Sequence, residues 1–389
     1  ADFGLAGGSE NMSRSPYIIS DQRWGAKMGD IRTQDMMLGA LNCPFGTGHM
    51  GVTAENVAAE HGITRTDQDA FALQSQERAA AAMQAGYFDS QIVPVSVKQR
   101  REMVDFAKDE HPKATTVEAL SGLRAVFQKD GTVTAGNASG LNDGAAAMVL
   151  ATAEAAEKAG LTPKFRVLGY AHAGVRPEVM GIGPVPAVRS LFEKTGLSAG
   201  DFDVIESNEA FASQALAVTK ELGLDPARVN PNGGAIALGH PVGATGAIIT
   251  IKAMYELERT SGKRALITMC IGGGQGIAAI AQRKGHTLQH RAGACGGVGG
   301  MLQPHERPAN GGIVEWRPLP TQIGQEQRLV RIEREAVGQF DSVESRPPFL
   351  AQREQPAIGP VDMQPGAVSA GERGDLGERI DRAGVDCAG

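Results

Sequence analysis

The 389-residue sequence lacks several features that would assign it to a specialised class of protein. It has no run of about 18 apolar residues and no charged-then-apolar N-terminal segment, so it predicts neither a membrane helix nor a signal peptide. Acidic residues outnumber basic ones, and the formal net charge of -6 excludes the broad basic surface that nucleic-acid binding requires. These absences predict a soluble globular protein, and the expected compartment is the cytoplasm.

Cysteine is also scarce. The four cysteines are far apart and form no CxxC pair: Cys43, Cys270, Cys295 and Cys387. This spacing argues against both a disulfide framework and a zinc knuckle. A zinc site built from His286, His290 and Cys295 is disfavoured because no convincing fourth ligand accompanies them. Chemistry on sulfur would therefore use single thiols, and no metal site is predicted.

The composition changes abruptly near residue 284. No lysine follows Lys284, whereas Gly, Pro, Gln and Arg are frequent and no helical or alternating apolar pattern is sustained. A segment of this composition buries too little apolar surface to offset the entropy lost on ordering. We therefore expect residues 284–389 to form a low-complexity, disordered tail, with short helical segments only around residues 325–337.

Residues 1–283, by contrast, alternate between helical and strand-like patterns, which is typical of layered α/β proteins. Predicted helices cover residues 54–61, 66–85, 153–160, 186–195, 209–222 and 243–261. Predicted strands cover residues 145–152, 166–173, 202–207, 264–271 and 276–282. Thr66 with Asp69 is the predicted N-terminal cap of the second helix. Residues 13–135 are more charged and irregular, which predicts an inserted surface subdomain.

Three short segments place one reactive side chain each among glycine and other small residues. Asn208 follows a predicted strand in SNEAFA, where an isolated asparagine is more often a helix N-cap. His240 lies between Gly239 and Pro241 before a predicted helix, although most loop histidines are structural. Cys270 begins CIGGGQG, a pattern that also suits a buried cysteine beside a hairpin turn. The glycines of this segment do not keep the GxGxxG spacing of a dinucleotide site.

Taken together, the three segments resemble the C-terminal half of the thiolase family. Supporting matches are GGSENMSRSPY at 7–17, HMGVTAENVA at 49–58, GTVTAGNASGLNDGAAA at 131–147 and VMGIGPVPA at 179–187. The resemblance covers residues 1–283 nearly without gaps, with features of both biosynthetic acetoacetyl-CoA enzymes and bacterial β-ketothiolases. It implies an α/β protein with a layered αβαβα fold.

The resemblance also implies a domain organisation. Residues 1–12 would be the remnant of an N-terminal half, residues 13–135 a loop domain, residues 136–162 the last part of that half, and residues 163–283 the C-terminal domain. The nucleophilic cysteine of the family lies upstream of the segment matched at 7–17, so the N-terminal half is expected to be truncated. Cys43, in LNCPFG, lacks the small-residue context of that nucleophile.

The activity implied by the resemblance is Claisen condensation of acetyl-CoA with an acyl-CoA, or thiolysis of a 3-ketoacyl-CoA. Cys270 would remove and return the α-proton. His240 would activate the nucleophilic cysteine and, with a water held by Asn208, line an oxyanion hole, while the Gly272 N–H would serve a second one. Residues matching the CoA and acyl pocket are Ser139, which would contact the pantetheine arm, and His49, Met50, Phe127, Met180 and Phe211.

The resemblance further implies that CoA thioesters are substrates, with no separate cofactor and no metal. A homodimer or homotetramer is expected of the complete protein. Two alternatives remain open. A ketoacyl-synthase-like condensing enzyme shares the architecture, but it places a second histidine where this chain has Cys270. A thiolase fragment that binds CoA or a full-length subunit without turnover would carry all the same motifs.

Overall fold

The computed structural model describes residues 2–284 and 313–316 of the chain. No helix in this part of the chain is both long enough and apolar enough to cross a membrane. The predicted helical segment around residues 325–337 and the histidines His286 and His290 lie outside the described residues.

The strands and helices follow one another along the chain in a mixed order. The strands are β1 (Phe3–Asn11), β2 (Tyr17–Ile18), β3 (Gln34–Asp35), β4 (Asn42–Cys43), β5 (Gly48–His49), β6 (Val95–Gln99), β7 (Glu102–Phe106), β8 (Asp143–Ala151), β9 (Pro163–Gly174), β10 (Val204–Ser207), β11 (Arg264–Ile271), β12 (Gln275–Arg283) and β13 (Ile313–Trp316). The α-helices are α1 (Met36–Ala40), α2 (Met50–His61), α3 (Arg65–Gln84), α4 (Val117–Ser121), α5 (Ala153–Lys158), α6 (Pro184–Thr195), α7 (Ala212–Leu222), α8 (Ala235–Leu238) and α9 (Thr245–Thr260).

A mixed sheet of seven strands organises the molecule, in the order β1-β8-β13-β9-β12-β11-β10. Strands β10 and β11 are parallel, with Ser207 opposite Thr268, whereas β11, β12 and β9 pair antiparallel. Residues 313–316, part of the predicted tail, form a strand parallel to both β8 and β9. Because β10 and β11 are parallel neighbours, their carboxyl ends lie at the same edge of the sheet.

Helices cover the sheet on both faces, because two successive apolar side chains of strand β10 point to opposite faces. Ile205 packs into an apolar cluster with Val188 and Leu191 of α6. Its neighbour Val204 points to the opposite face and packs into a second cluster with Leu257 of α9. Since each fully buried aliphatic side chain contributes about 1.5–3 kcal/mol, the two clusters fix both helices on the sheet. The predicted layered α/β class is confirmed.

The predicted cap of the second long helix was two residues too late. Helix α3 begins after Thr64, which forms a capping box with Asp67: the Asp67 N–H donates to Thr64 Oγ1 at 3.1 Å, and the Thr64 N–H donates to Asp67 Oδ2 at 2.9 Å. Asp69 has other partners, since it accepts hydrogen bonds from Arg65 Nε at 2.7 Å and Asn137 Nδ2 at 2.9 Å. Pattern alone could not separate two overlapping cap motifs.

Residues 13–135 contain three two-stranded hairpins and helices α1 to α4. Helices α2 and α3 of this segment pack against α7, and α3 also packs against α8. The segment is therefore attached to the edge of the sheet where β10 and β11 end. The domain boundaries expected from the sequence stay a prediction.

Candidate active site

The three segments around Asn208, His240 and Cys270 meet at what we call the carboxyl edge, which comprises residues 206–211, 230–240 and 270–276. The Asn208 N–H donates to the carbonyl oxygen of Thr268 at 3.0 Å, so the chain leaving β10 stays hydrogen-bonded to β11. Asn230 joins the second segment to the first: its Oδ1 accepts from the Ser207 N–H at 2.9 Å and its Nδ2 donates to the Ser207 carbonyl at 2.8 Å. The third segment begins with Cys270, which packs with Ala210.

His240 is held as a neutral ring with a defined tautomer. Burial lowers the pKa of His240 to about 4. The Thr245 hydroxyl donates to the carbonyl of Pro241 at 2.9 Å, so its oxygen accepts from His240 Nδ1 at 2.6 Å. The proton therefore resides on Nδ1, and Nε2 accepts from Asn208 Nδ2 at 3.3 Å. A neutral imidazole with an unprotonated Nε2 can take a proton from a thiol.

The backbone before His240 requires glycine. Gly239 has a φ of +96°, a conformation that L side chains rarely adopt, and an added Cβ would lie 2.5 Å from the side-chain carbon of Asn142. Asn142 in turn accepts from the His240 N–H through Oδ1 at 2.9 Å. Helix α9 begins five residues later at Thr245, so its N-terminal dipole adds to the forces that disfavour the imidazolium.

Cys270 occupies an apolar pocket at the end of β11. It is 7% exposed and clusters with Met180 and Ala210, against which Met50 and Phe211 pack. Burial raises the pKa of the Cys270 thiol to about 11. The thiol is therefore protonated near neutral pH, and its thiolate, once formed, is a strong base. A buried strand-end cysteine is thus the correct local description, and it is compatible with proton transfer.

The turn after Cys270 is closely packed on both sides. A Cβ on Gly272 would lie 2.5 Å from Met50 Cε. Further on, Gly276 and Gly183 approach each other so closely that a Cβ on either would overlap the backbone at the other. This contact fixes the 3-10 turn Pro177–Ile182, which carries Met180, against strand β12. The oxyanion role of the Gly272 N–H stays a prediction.

The predicted pocket residues form a continuous group beside Cys270. The Phe127 ring stacks on His49 with centroids 4.7 Å apart and meets Phe211 edge-on at 6.1 Å. Ser139 uses both its N–H and its hydroxyl as donors to the carbonyl of Ala210, each at 3.0 Å. Together with Met50, Met180 and Phe211 around the thiol, these residues line one side of the carboxyl edge. Their contacts with a ligand stay predictions.

Two helix starts predicted at the site were wrong. The helix predicted from residue 209 begins only at Ala212 and its N-cap is Phe211, so the alternative interpretation of Asn208 as an N-cap does not hold. The helix predicted from residue 54 begins at Met50, four residues earlier, because His49 caps it by accepting the Gly51 N–H through Nδ1 at 3.0 Å. Histidine is a rare cap, so the sequence carried no ordinary start signal.

Sequence reasoning missed a polar layer beneath these side chains. Glu209 is buried and accepts from Ser75 Oγ at 2.7 Å, from Asn230 Nδ2 at 2.8 Å and from the Ile236 N–H at 3.2 Å. Burial raises the pKa of Glu209, while these donors oppose the rise. The acidic residue inside SNEAFA was a usable signal, but its partners are too far away in sequence to identify. Among residues 2–284 and 313–316, no group of His, Cys, Asp or Glu is arranged to hold a metal.

Comparison with known proteins gives consistent matches. The family model described as thiolase, N-terminal domain, matches residues 1–154, and the model described as thiolase, C-terminal domain, matches residues 161–283. The beta-ketothiolase BktB of Cupriavidus necator is 60% identical over 284 residues, which cover 72% of each chain. The acetyl-CoA acetyltransferase of Escherichia coli is 52% identical over 282 residues, again 72% of each chain.

Solved structures agree with these matches. Human mitochondrial 3-ketoacyl-CoA thiolase in complex with CoA superposes with a TM-score of 0.70 at 48% identity, covering 73% of this chain and 71% of that one. The acetyl-CoA acetyltransferase of Bacillus anthracis gives a TM-score of 0.71 at 48% identity, covering 73% and 72%. These similarities are high enough to establish both the fold and the family of the chain.

Proposed function

This chain belongs to the thiolase family, and we propose on that premise that it is an acyl-CoA C-acyltransferase. It would join acetyl-CoA to an acyl-CoA by Claisen condensation, or cleave a 3-ketoacyl-CoA by thiolysis. The observation that carries the proposal is that a buried, weakly acidic thiol at Cys270 and a neutral, oriented imidazole at His240 both lie in the segments of the carboxyl edge. The two groups suit the two proton transfers that the reaction needs.

Cys270 performs the proton transfer at carbon. In condensation, the departing CoA thiolate takes the proton of Cys270, which leaves free CoA and the Cys270 thiolate. That thiolate takes an α-proton from the methyl group of acetyl-CoA, and the electron pair of the C–H bond forms the enolate. The high pKa of Cys270 favours this step, because a strongly basic thiolate is needed to remove a proton from carbon.

His240 serves the acyl-carrying thiol. Its unprotonated Nε2 accepts the proton of that thiol as the thioester forms, and returns it when the carrier is released. The enolate carbon attacks the carbonyl carbon of the thioester, so a C–C bond forms while the C–S bond to the carrier breaks. While protonated, Nε2–H becomes a donor to the oxyanion, alongside the water that Asn208 would hold.

The remaining features of the proposal follow from the pocket. Met50, Met180 and Phe211 make the surroundings of the thiol apolar, which suits the hydrocarbon part of an acyl group. CoA enters as a substrate and leaves as a product, so the proposed reaction uses no separate cofactor. We further propose a homo-oligomeric, cytoplasmic enzyme of fatty acid metabolism.

The first test is α-proton exchange. The chain is incubated with acetyl-CoA in D2O, and deuterium in the acetyl group is measured by mass spectrometry. We expect exchange whose rate rises about tenfold per pH unit between pH 7 and 10, because the thiolate fraction of Cys270 rises in that proportion below its pKa. Cys270→Ala should reduce the rate by about 10²–10⁴-fold.

The control is Cys43→Ser, whose thiol lies in the β4–β5 hairpin and not in the Cys270 cluster; it should exchange like the wild type. Exchange that is absent from the wild type, or that survives in Cys270→Ala, would contradict the proposed role of Cys270. Measuring the affinity for CoA in parallel separates a loss of proton transfer from a loss of binding.

A second candidate is a chain that binds CoA thioesters, or a full-length subunit, without completing turnover. Turnover needs one thiol to carry the acyl group and a second group to move the proton. Of Cys43 and Cys270, the two cysteines in the described part of the chain, only Cys270 lies in the apolar pocket. This observation favours the second candidate. Acetoacetyl-CoA thiolysis distinguishes the two candidates. If the second candidate is correct, the 389-residue chain exchanges α-protons but shows no thiolysis. Robust thiolysis that Cys43→Ser abolishes would instead make Cys43 the nucleophile.

A further inference from the structure

Lys252 and Glu206 form an ion pair beneath the carboxyl edge. Lys252 Nζ lies 3.0 Å from Glu206 Oε2 and donates a second hydrogen bond, of 2.7 Å, to the carbonyl of Gly233. Both residues are buried, with exposed fractions of 7% for Lys252 and 1% for Glu206. Removing two charges from water costs several kcal/mol per ion, and an apolar pair of similar volume is often as stable. Stability alone therefore does not explain why a charged pair lies at this position.

The two partners belong to the elements that carry the Asn208–His240 contact. Glu206 is on β10, two residues before Asn208. Lys252 is on α9, seven residues after Thr245, which places both on the same face of the helix two turns apart. Thr245 is the residue that holds His240 Nδ1. The ion pair thus joins the strand that presents the amide to the helix that orients the imidazole.

The same ammonium group also fixes the segment that leads to His240. Gly233 lies in the turn before helix α8, and His240 is two residues after Leu238, the last residue of that helix. Gly233 has a φ of +78°, and a Cβ there would contact the carbonyl of Ser75 and the side chain of Ala79. This turn is therefore confined between α3 and the Lys252 ammonium.

We infer that Lys252 and Glu206 are positioning residues: their buried ion pair holds α9 and the turn at Gly233 against β10 at the spacing that the Asn208–His240 hydrogen bond requires. The inference rests on the proposed function, which gives that hydrogen bond its catalytic meaning. Neither residue touches the reacting atoms, so both act through Asn208 and His240.

The charges around the pair make it sensitive to the loss of either partner. Burial raises the pKa of Glu206 to about 7, Lys252 opposes that rise, and Glu209 and Glu256 add to it. Glu256 is already paired, with Arg259 Nη2 2.6 Å from its Oε1. Burial raises the pKa of the Asp109 carboxyl, while the positive charge of Lys252 opposes that rise. Lys252 is thus shared among several carboxylates, and removing it leaves Glu206 without its cation.

The test measures the pKa of the His240 imidazole by NMR in the full chain, for the wild type, Lys252→Met, Glu206→Gln and the double variant. If the ion pair positions the site, each change loosens the contact and admits water to the ring. The His240 pKa then rises by about one unit or more in all three variants. A purely through-space effect would instead give opposite signs, because losing a cation raises the pKa of histidine and losing an anion lowers it.

The double variant guards against a folding failure, since it removes both charges and leaves no unpaired ion buried. Lys164→Met is the matched control: it breaks an exposed ion pair of 3.0 Å to Glu258 on the same helix and should leave the His240 pKa unchanged. An unchanged His240 pKa in the double variant, or opposite shifts in the single variants, would overturn the inference.

A kinetic readout separates this inference from the proposed function. The double variant should lower the rate of α-proton exchange by about tenfold at saturating acetyl-CoA, with little change in KM, because positioning acts on the transition state and not on ground-state binding. Failure of the wild type to exchange would count against the proposed function alone. The NMR shifts would still decide whether Lys252 and Glu206 position His240.

Discussion

The carboxyl edge and the loop region of residues 13–135 contain similar residues in different surroundings. Cys270 at the edge and Cys43 in the loop region are 7% and 8% exposed. Burial raises the pKa of Cys270 to about 11. Burial also acts to raise the pKa of Cys43, but hydrogen bonds from the Thr47 hydroxyl and from the backbone N–H groups of Phe45 and Thr47 together lower it.

The difference shows that the exposed fraction alone does not set the chemistry of a thiol, because Cys270 lies deep in an apolar cluster whereas Cys43 lies in a surface hairpin with donors to its sulfur. At a hairpin tip, backbone N–H groups are free of ladder partners and can face the sulfur, where they stabilise the thiolate. At the end of a central strand, the backbone is already paired, and apolar side chains fill the remaining space. The histidines of the two regions, His49 and His240, differ in the extent of burial instead, because burial lowers the pKa of both and at His240 lowers it to about 4.

The largest expected difference between the regions concerns these two histidines. His240→Ala should lower the rate of acyl transfer by about 10²–10³-fold, the usual loss for an oxyanion-hole donor, through kcat. His49→Ala should act mainly on KM, by about threefold, because its ring stacks on Phe127 and caps α2 without contacting Asn208 or Thr245. Steady-state kinetics measures both, and similar kcat losses would remove the distinction between the two regions.

Glycine substitutions give the next largest contrast. Gly183→Ala should destabilise the protein by about 1–3 kcal/mol, because the new Cβ overlaps the backbone of Gln275 and forces the 3-10 turn at Met180 away from β12. Gly122→Ala is the matched change in the loop region. There φ is -73°, and the new Cβ would make only ordinary contacts, of 3.5 Å with the Glu118 carbonyl oxygen.

Gly122→Ala should therefore be neutral or stabilising by up to about 1 kcal/mol, since alanine restricts the unfolded chain more than glycine does. Denaturant unfolding measures both changes. A stable Gly183→Ala variant would mean that the turn carrying Met180 can move without cost, and that the acyl pocket is less fixed than the contact indicates.

The regions also differ in how far their sequences predicted them. Strand β11 was predicted at its observed bounds, because a buried central strand is a continuous apolar run that needs no knowledge of its partners. Cys270, His240 and Asn208 were identifiable only because their three segments together resemble the thiolase family, since each segment alone also suits a structural role. The Lys252–Glu206 pair was not, since its partners are separated by 46 positions and no local pattern marks a buried ion pair.

The sequence analysis did not find several strands, in the loop region and near the N-terminus, for a physical reason. The hairpin β6–β7 is exposed along almost its whole length, so its sequence has no clear apolar alternation to reveal it. Strand β1 was missed because GLAGGSEN is dominated by small residues, and its pairing with β8 depends on a partner more than a hundred residues away. Long-range pairing decides these elements, and local propensity does not.

The smallest expected effect is a difference in alkylation rate between the two described cysteines. At pH 8 a thiol of pKa about 11 is about 0.1% thiolate, whereas hydrogen bonds lower the pKa of Cys43 and so increase its thiolate fraction. The more basic Cys270 thiolate is intrinsically the better nucleophile, but nucleophilicity rises less steeply with pKa than the thiolate fraction falls. Iodoacetamide should therefore modify Cys43 several-fold faster, as read from peptide masses after a timed quench. Because each thiol reacts as its thiolate, the Cys270 rate should keep rising to about pH 11 while the Cys43 rate levels off at a lower pH. If Cys270 reacted faster at pH 8, the carboxyl edge would contain a donor to its sulfur that burial alone does not account for, and the contrast between the two regions would have to be redrawn.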